Sequence, residues 1–201
     1  MFVSDLLKYA QLGNGVILKY KTRFLFTVGK KDYWKRDKGS YTITFTNTGG
    51  HVEEGESILT ATRREVKEEL GCEVDFQSAT QTLYCNLESP KFQIYTLKDK
   101  ITPILIYNSQ EMKMSVCVYL GHIFSLPEPK SEVPAILLLP PKLIHGGPLD
   151  QLLANGASIY EQIEKVIPKS AIMTPFGSAY LLAAHWEVFI QQSTFKRYIN
   201  Y

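Results

Sequence analysis

The chain has 201 residues, 45% of them hydrophobic, and a formal net charge of +2 from 22 basic and 20 acidic side chains. This length suits one domain, or one domain with an appendage, and the hydrophobic content is typical of a globular core. The near balance of charge does not require a nucleic-acid or anionic-membrane partner.

The cysteines and the N-terminus bear on the compartment. Cys72, Cys85 and Cys117 are odd in number and widely spaced, with no CxxC pair and no zinc-ligand spacing. They are interpreted as reduced thiols of a cytoplasmic protein. Asp5 and Lys8 interrupt the apolar N-terminal stretch, which is therefore not interpreted as a signal peptide. The longest apolar run is far too short to span a bilayer, so no membrane partner is expected.

The first elements are predicted to be a helix and a hairpin. Residues 3–11 fit a short amphipathic helix with Ser4 as its N-cap, broken by the glycines of residues 13–15. Residues 15–20 and 24–28 are rich in β-branched and aromatic side chains, which predicts an antiparallel hairpin.

A basic segment follows at residues 30–38, with five basic and two acidic side chains. Two interpretations remain open. The segment is either a solvated loop anchored by its aromatic residues or a substrate-binding lip, in which Tyr33 or Trp34 stacks on a base while Lys35 and Arg36 meet phosphate.

Residues 41–46 alternate in the manner of a half-buried strand and lead to the pair Gly49-Gly50. Glycines at this point allow the backbone to approach a ligand closely. A helix is predicted to begin after Ser57 and to end before Gly71, where a glycine suits the C′ position.

Residues 50–72 hold six glutamates. Glu65, Glu68 and Glu69 have the i, i+3, i+4 spacing that places side chains on one helix face. Like charges on one face repel by a few tenths of a kcal/mol per pair. Because Mg²⁺ prefers oxygen ligands, binding of a divalent cation would explain why these carboxylates are placed together.

The same stretch resembles the Nudix box, G-x5-E-x7-R-E-U-x-E-E-x-G-U, where U is aliphatic. Every fixed position matches, and the matching residues are Gly50, Glu56, Arg64, Glu65, Glu68, Glu69 and Gly71. Cys72 is atypical at the last U position, and Thr48 stands where family members usually carry proline. The resemblance implies an α/β fold, a Nudix-like α/β/α sandwich with a mixed β-sheet.

The resemblance also implies a Mg²⁺-dependent hydrolase, with Mn²⁺ as an alternative ion, that cleaves a diphosphate linkage in a nucleotide-type small molecule. Glu65, Glu68 and Glu69 would bind the metal, together with a main-chain carbonyl at Gly49 or Gly50. The sequence leaves the substrate open among nucleotide sugars, dinucleoside polyphosphates, nucleoside triphosphates and dinucleotide cofactors.

The remaining box residues are given supporting roles by the resemblance. Arg64 is expected to pair with a box glutamate and hold its rotamer, and Glu56 to support the loop or to bind a further metal through water. The general base is open between Glu65 and a glutamate of a later loop, where Glu132 and its rival Glu128 lie.

Beyond the box, several further strands are predicted from apolar runs, at residues 73–83, 101–107, 116–124 and 135–139. Residues 1–145 are expected to form the Nudix hydrolase domain. Residues 146–201 are expected to form a helical C-terminal extension packed on the same domain, with helices at 149–166 and 180–192. This extension is a candidate cap, pocket wall or homodimer surface.

Three alternatives from other functional classes remain. The chain could be a catalytically inactive nucleotide-sensing module, which the intact box disfavours. It could be an isomerase of the same family, although its cysteines lack the expected context. It could also be an RNA-directed, decapping-like enzyme, although the modest net charge makes a nucleic-acid partner unexpected.

Overall fold

A computed structural model describes residues 1–37, 39–162 and 167–200. The strands are β1 Gln11–Tyr20, β2 Arg23–Val28, β3 Lys35–Asp37, β4 Ser40–Thr46, β5 Asp75–Gln77, β6 Thr82–Asn86, β7 Ser89–Tyr95, β8 Leu105–Ser109, β9 Met114–Ile123, β10 Ala135–Leu139, β11 Gly147–Pro148, β12 Ser158–Glu161 and β13 Ile172–Pro175. The α-helices are α1 Ile58–Leu70, α2 Leu149–Ala154, α3 Ser178–Ala184, α4 Trp186–Gln191 and α5 Ser193–Asn200.

The strands join in one mixed sheet. Its main path runs β11-β13-β4-β2-β1-β9-β8-β6-β7, and β3, β5, β10 and β12 pair off this path. The pairs β1/β9, β4/β13 and β6/β8 are parallel, and the other pairs are antiparallel. Among the described residues, no helix has the length and apolar character needed to cross a membrane.

Hydrophobic cores cover both faces of the sheet. Successive residues of β1 alternate between them, as expected for a strand. Val16 and Leu18 belong to the same core cluster as Val66 of α1, whereas Ile17 belongs to the other cluster with Phe195 of α5. The helix of the glutamate cluster therefore covers one face and the C-terminal helices cover the other, as the α/β/α sandwich requires.

Several local predictions are confirmed. Strands β1 and β2 form the expected antiparallel hairpin, and β10 has the predicted bounds. Helix α1 begins after Ser57, whose Oγ accepts a hydrogen bond from the Thr60 amide at 3.1 Å. It ends at Leu70, and the capping residue Gly71 adopts a φ of 63° in the left-handed region that favours glycine.

The N-terminal helix prediction is wrong. Only Val3–Leu6 forms a short 3-10 turn, and β1 already begins at Gln11. The glycines at 13 and 15 lie inside this strand rather than ending a helix. Parallel pairing of β1 with β9 continues from Gln11 opposite Met114 to Tyr20 opposite Ile123. This long-range pairing outweighs the weak helix preference of a nine-residue segment.

Between the box and β9, the strand bounds also differ. The run predicted at 73–83 is divided between β5 and β6, which pair with different neighbours. The predicted strand at 101–107 is shifted to β8. The strand β7 was not predicted, because it lies at the sheet edge and its side chains are mostly exposed.

In the C-terminal extension the predicted helix at 149–166 is wrong. Helix α2 ends at Ala154, and the chain returns as β12, which pairs with β10. Residues 163–166 lie outside the described residues. The predicted helix at 180–192 is two helices, α3 and α4, divided at His185. The extension is thus partly strand, because exposed edges of the sheet accept additional strands.

Candidate functional site

The turn after β4 is fixed against β1 by backbone hydrogen bonds. The Asn14 amide donates to the Gly50 carbonyl, and the Val16 amide donates to the Thr48 carbonyl, each at 2.9 Å. A Cβ built on Gly49 would collide with the Asn14 carbonyl oxygen and lie 2.7 Å from the Gly15 Cα. Backbone atoms cannot move aside as a side-chain end can, so this position requires glycine.

The Glu65 carboxylate lies directly against Gly50. A Cβ on Gly50 would overlap its Oε1 and approach its Cδ to 2.7 Å. The glycine pair therefore serves two purposes: Gly49 lets the turn lie on β1, and Gly50 leaves room for the carboxylate.

Arg64 connects three of the box glutamates. Its guanidinium donates two hydrogen bonds to Glu56, both at 3.2 Å, and single bonds to Glu65 at 2.9 Å and Glu68 at 3.2 Å. A further bond at 3.0 Å reaches the His51 carbonyl. The bond from Arg64 holds the pKa of Glu56 below its ordinary value. Arg64 thus ties the helix face to the glycine turn.

Glu69 is the most unusual carboxylate of the site. The nearby Gly49 amide lowers its pKa slightly, whereas its buried Oε2 has no hydrogen-bond partner among the described residues. Burial, reinforced by the charge of Glu65, raises the pKa of Glu69 to about 8. Burial also raises the pKa of Glu65. A buried anion without a partner is unfavourable, and a nearby cation would relieve this cost.

The predicted metal ligands are only partly brought together. Glu65 and Glu69 flank the glycine turn, while the Glu68 side chain is 55% exposed and paired with Arg64. Within the described ranges, no three His, Cys, Asp or Glu side chains are already arranged to hold a metal ion. The carbonyls of the turn and the Glu69 carboxylate are nevertheless the type of oxygen ligand that a hard divalent cation prefers. The Oε2 of Glu69 also has no hydrogen-bond partner among the described residues that would compete with such an ion.

A cavity of about 850 Å³ opens beside Glu69. We call it the basic cavity, defined by Lys30, Tyr33, Trp34 and Lys35 on its wall. Glu132 also lines it and forms an ion pair with Lys30. Glu132 of the later loop therefore reaches the site, and its loop meets the basic segment across this opening.

The residues of the basic segment take different positions. Tyr33 is 69% exposed at the cavity. Trp34 donates from Nε1 to the Gly29 carbonyl at 2.8 Å and packs edge-on against Tyr41. Arg36 lies over the Tyr41 ring instead, and Lys38 lies outside the described residues.

Sequence reasoning did not identify three further residues at the cavity wall. Lys30 belongs to the basic segment but was not singled out. Thr46 ends β4, directly before the turn. Phe176 comes from the extension, where its amide donates to the Phe45 carbonyl at 2.9 Å. No local signal links Phe176 to the site, because the pairing of β13 with β4 brings it there.

Comparison with known proteins gives one family match. Residues 15–114, about half of the chain, match the family model described as the NUDIX domain. This span contains the glycine turn, α1 and Glu65, Glu68 and Glu69. No curated protein matches significantly.

Solved structures provide distant similarities. A NUDIX family hydrolase from Clostridium perfringens is 18% identical, covers 67% of this chain and 83% of its own, and gives a TM-score of 0.45. A putative nudix hydrolase family member from Chromobacterium violaceum is 15% identical. The alignment covers 94% of this chain and 86% of that protein, with a TM-score of 0.41. An ADP-ribose pyrophosphatase from Streptococcus suis is 16% identical, and the alignment covers 63% of this chain and 70% of that protein, with a TM-score of 0.37.

Proposed function

Because this chain belongs to the Nudix family of pyrophosphohydrolases, we propose that it is a Mg²⁺-dependent hydrolase of a diphosphate linkage in a nucleoside diphosphate joined to another group. The observation that carries this proposal is the buried Glu69 carboxylate, which has an unpartnered oxygen and lies beside Glu65 and the Gly49 turn. Mn²⁺ is the alternative ion. The three free thiols support a cytoplasmic location.

Glu65, Glu68, Glu69 and one main-chain carbonyl would hold the metal. Bound Mg²⁺ would neutralise phosphate oxygens and lower the pKa of a water. The Gly50 carbonyl already accepts hydrogen bonds from the Asn14 amide at 2.9 Å and from its side chain at 3.2 Å. This favours the carbonyl of Gly49 as the ligand. Arg64 orients Glu65 and is the positioning residue of the set.

A turnover screen tests the proposal. The purified chain is incubated with Mg²⁺ and a panel of nucleotide sugars, dinucleoside polyphosphates, dinucleotide cofactors and nucleoside triphosphates, and products are identified by mass spectrometry. We expect a nucleoside monophosphate to be released from at least one compound, and EDTA to abolish this release. Mg²⁺-dependent binding without turnover would instead support the nucleotide-sensing alternative.

Glu132 is proposed as the general base, since it lines the basic cavity with Glu69. Glu132→Gln is expected to lower kcat about 100-fold, because a positioned base contributes about 10²–10⁴-fold. Glu128→Gln is the matched control: Glu128 is an exposed glutamate of the same loop, and its variant should retain kcat within about twofold, as surface substitutions usually do. Equal kcat for both variants and the wild type would return the base assignment to Glu65.

Tyr33 is proposed to stack on the base of the substrate. Tyr33→Ala should raise KM about tenfold with little change in kcat, since stacking on one base contributes about 1–3 kcal/mol. Steady-state kinetics check this, with Tyr160→Ala as the control because Tyr160 is another exposed tyrosine, 38% accessible. An unchanged KM for Tyr33→Ala would mean that the segment is only a solvated loop. Trp34→Ala is the less selective variant, because Trp34 also anchors the loop through Gly29.

A further inference from the structure

A second cavity lies on the other side of the glycine turn. It has a volume of about 570 Å³, and we call it the tail-side cavity because residues 175–178 and Tyr180 of the extension form one wall. The tail-side and basic cavities share four lining residues, Thr46, Gly49, His51 and Phe176. A molecule held at Gly49 can therefore extend into both.

The two cavities differ in the cationic side chains on their walls. Lys30 and Lys35 line the basic cavity, beside the carboxylates of Asp32, Glu69 and Glu132. The lining of the tail-side cavity, as far as the described residues show it, contains no lysine or arginine and has Glu111 as its acidic side chain. Phosphate groups gain from cationic partners and are repelled by a carboxylate. The tail-side cavity therefore suits an uncharged group.

Two side chains on the wall indicate what this group should offer. Asn14 and Asn47 are 6% and 4% exposed, and the Oδ1 atoms of both have no hydrogen-bond partner among the described residues. Asn47 is oriented by its Nδ2, which donates to Ser178 Oγ at 2.9 Å. Amide oxygens of this kind accept from N–H or O–H donors. The group should thus carry hydroxyl or amino donors.

The rest of the wall is apolar and aromatic. Met112, Phe176 and Tyr180 line the cavity and are 42%, 61% and 49% exposed. Their exposure leaves apolar surface uncovered at the mouth, which a planar or ring-shaped group would bury. The extension holds this wall in place through the pairing of β13 with β4.

We propose that the tail-side cavity binds an uncharged, hydrogen-bond-donating ring at the far end of the diphosphate, and that Phe176 and Tyr180 of the extension determine this specificity. This inference rests on the proposed function, with the nucleoside in the basic cavity. It narrows the substrate to diphosphates that carry an organic group at both ends. A terminal phosphate, as in a nucleoside triphosphate, would be disfavoured by the tail-side cavity.

The test compares kcat/KM for a nucleotide sugar, a dinucleoside diphosphate and ATP with Mg²⁺. The kcat/KM of the nucleotide sugar or of the dinucleoside diphosphate should exceed that of ATP about tenfold, and the compound with the higher value tells whether the ring is a sugar or a base. A kcat/KM for ATP equal to those of both other compounds would overturn the proposal. Tyr180→Ala should reduce the ratio of the better compound to ATP at least about fivefold, because it removes an aromatic wall.

Phe124→Ala is the matched control, since Phe124 is an aromatic residue 83% exposed outside both cavity walls. It should leave the ratio unchanged, and an equal ratio for Tyr180→Ala and Phe124→Ala would overturn the proposal. Should no compound be hydrolysed, the proposed function fails. Calorimetric binding of a methylene-bridged dinucleoside diphosphate then tests the cavity separately. Tyr180→Ala should weaken its binding about fivefold, and equal affinities would refute the cavity assignment.

Discussion

Replacing Glu69 by glutamine is expected to lower kcat by more than about 100-fold while leaving the fold intact. Glutamine has nearly the same shape, but its neutral amide is a poor ligand for Mg²⁺ and replaces one anionic oxygen with a hydrogen-bond donor. The Oε2 of Glu69 is buried without a partner among the described residues, and burial raises the pKa of Glu69 to about 8, so above that pH the substitution also removes an unfavourable buried charge. At a pH above that value, the metal-free variant should therefore be at least as stable as the wild type in thermal unfolding.

Glu73→Gln provides the control for this experiment. Glu73 lies just beyond the same helix and pairs with Lys67 at the surface, where its side chain is 76% exposed. Its variant should show wild-type kinetics and the same Mg²⁺ affinity by calorimetry. Wild-type turnover by the Glu69→Gln protein would show that the metal assignment is wrong. Lost turnover together with a lowered melting temperature would point to a structural role for Glu69 instead.

Tyr198→Ala is expected to lower the free energy of unfolding by about 3–5 kcal/mol, as for other aromatic truncations in a core. Tyr198 is fully buried between Phe24 and Phe195, and its hydroxyl lies 2.7 Å from the carbonyl oxygens of Ile17 and Gly121. The truncation would open a cavity and remove the hydroxyl that bonds to these two buried carbonyls.

This variant also tests the proposal that residues 146–201 belong to the same folded unit as residues 1–145. Urea unfolding followed by fluorescence and circular dichroism should show one transition with a lower midpoint. Tyr198→Phe is the matched control, since it keeps the ring and loses only the hydroxyl, at a cost of about 1–2 kcal/mol. Two separate transitions, with turnover persisting after the first, would contradict a single unit.

The sequence predicted the parts of the site that are specified locally. Helix α1 begins and ends where its capping residues indicate, because Ser57 and Gly71 act within one helical turn. The border position of Glu65 and Glu69 follows from helical periodicity beside the buried Val66 and Leu70.

Features that depend on distant pairing were missed. The segment at residues 3–11 has a helical pattern, but β9 recruits its end into a strand. The strand β12 replaces a predicted helix because β10 offers it an edge. Phe176 reaches the site by the same kind of long-range pairing. A single sequence shows the periodicity of each segment but not the distant strand with which that segment pairs. The tail-side cavity and its wall could therefore not be predicted from the sequence.

The insertion of β13 beside β4 has a consequence for how the chain acquires its shape. Ser40 bonds to the Ser170 carbonyl across 130 residues, and the buried Lys19 bonds to the Tyr198 carbonyl across 179 residues. Because of these separations, many native contacts form only late in folding, after a large loss of chain entropy. During synthesis, the glycine turn would emerge from the ribosome well before the strand and helices that complete its surroundings. The nascent chain would therefore acquire its tail-side cavity only after residues 175–180, which form one of its walls, have left the ribosome.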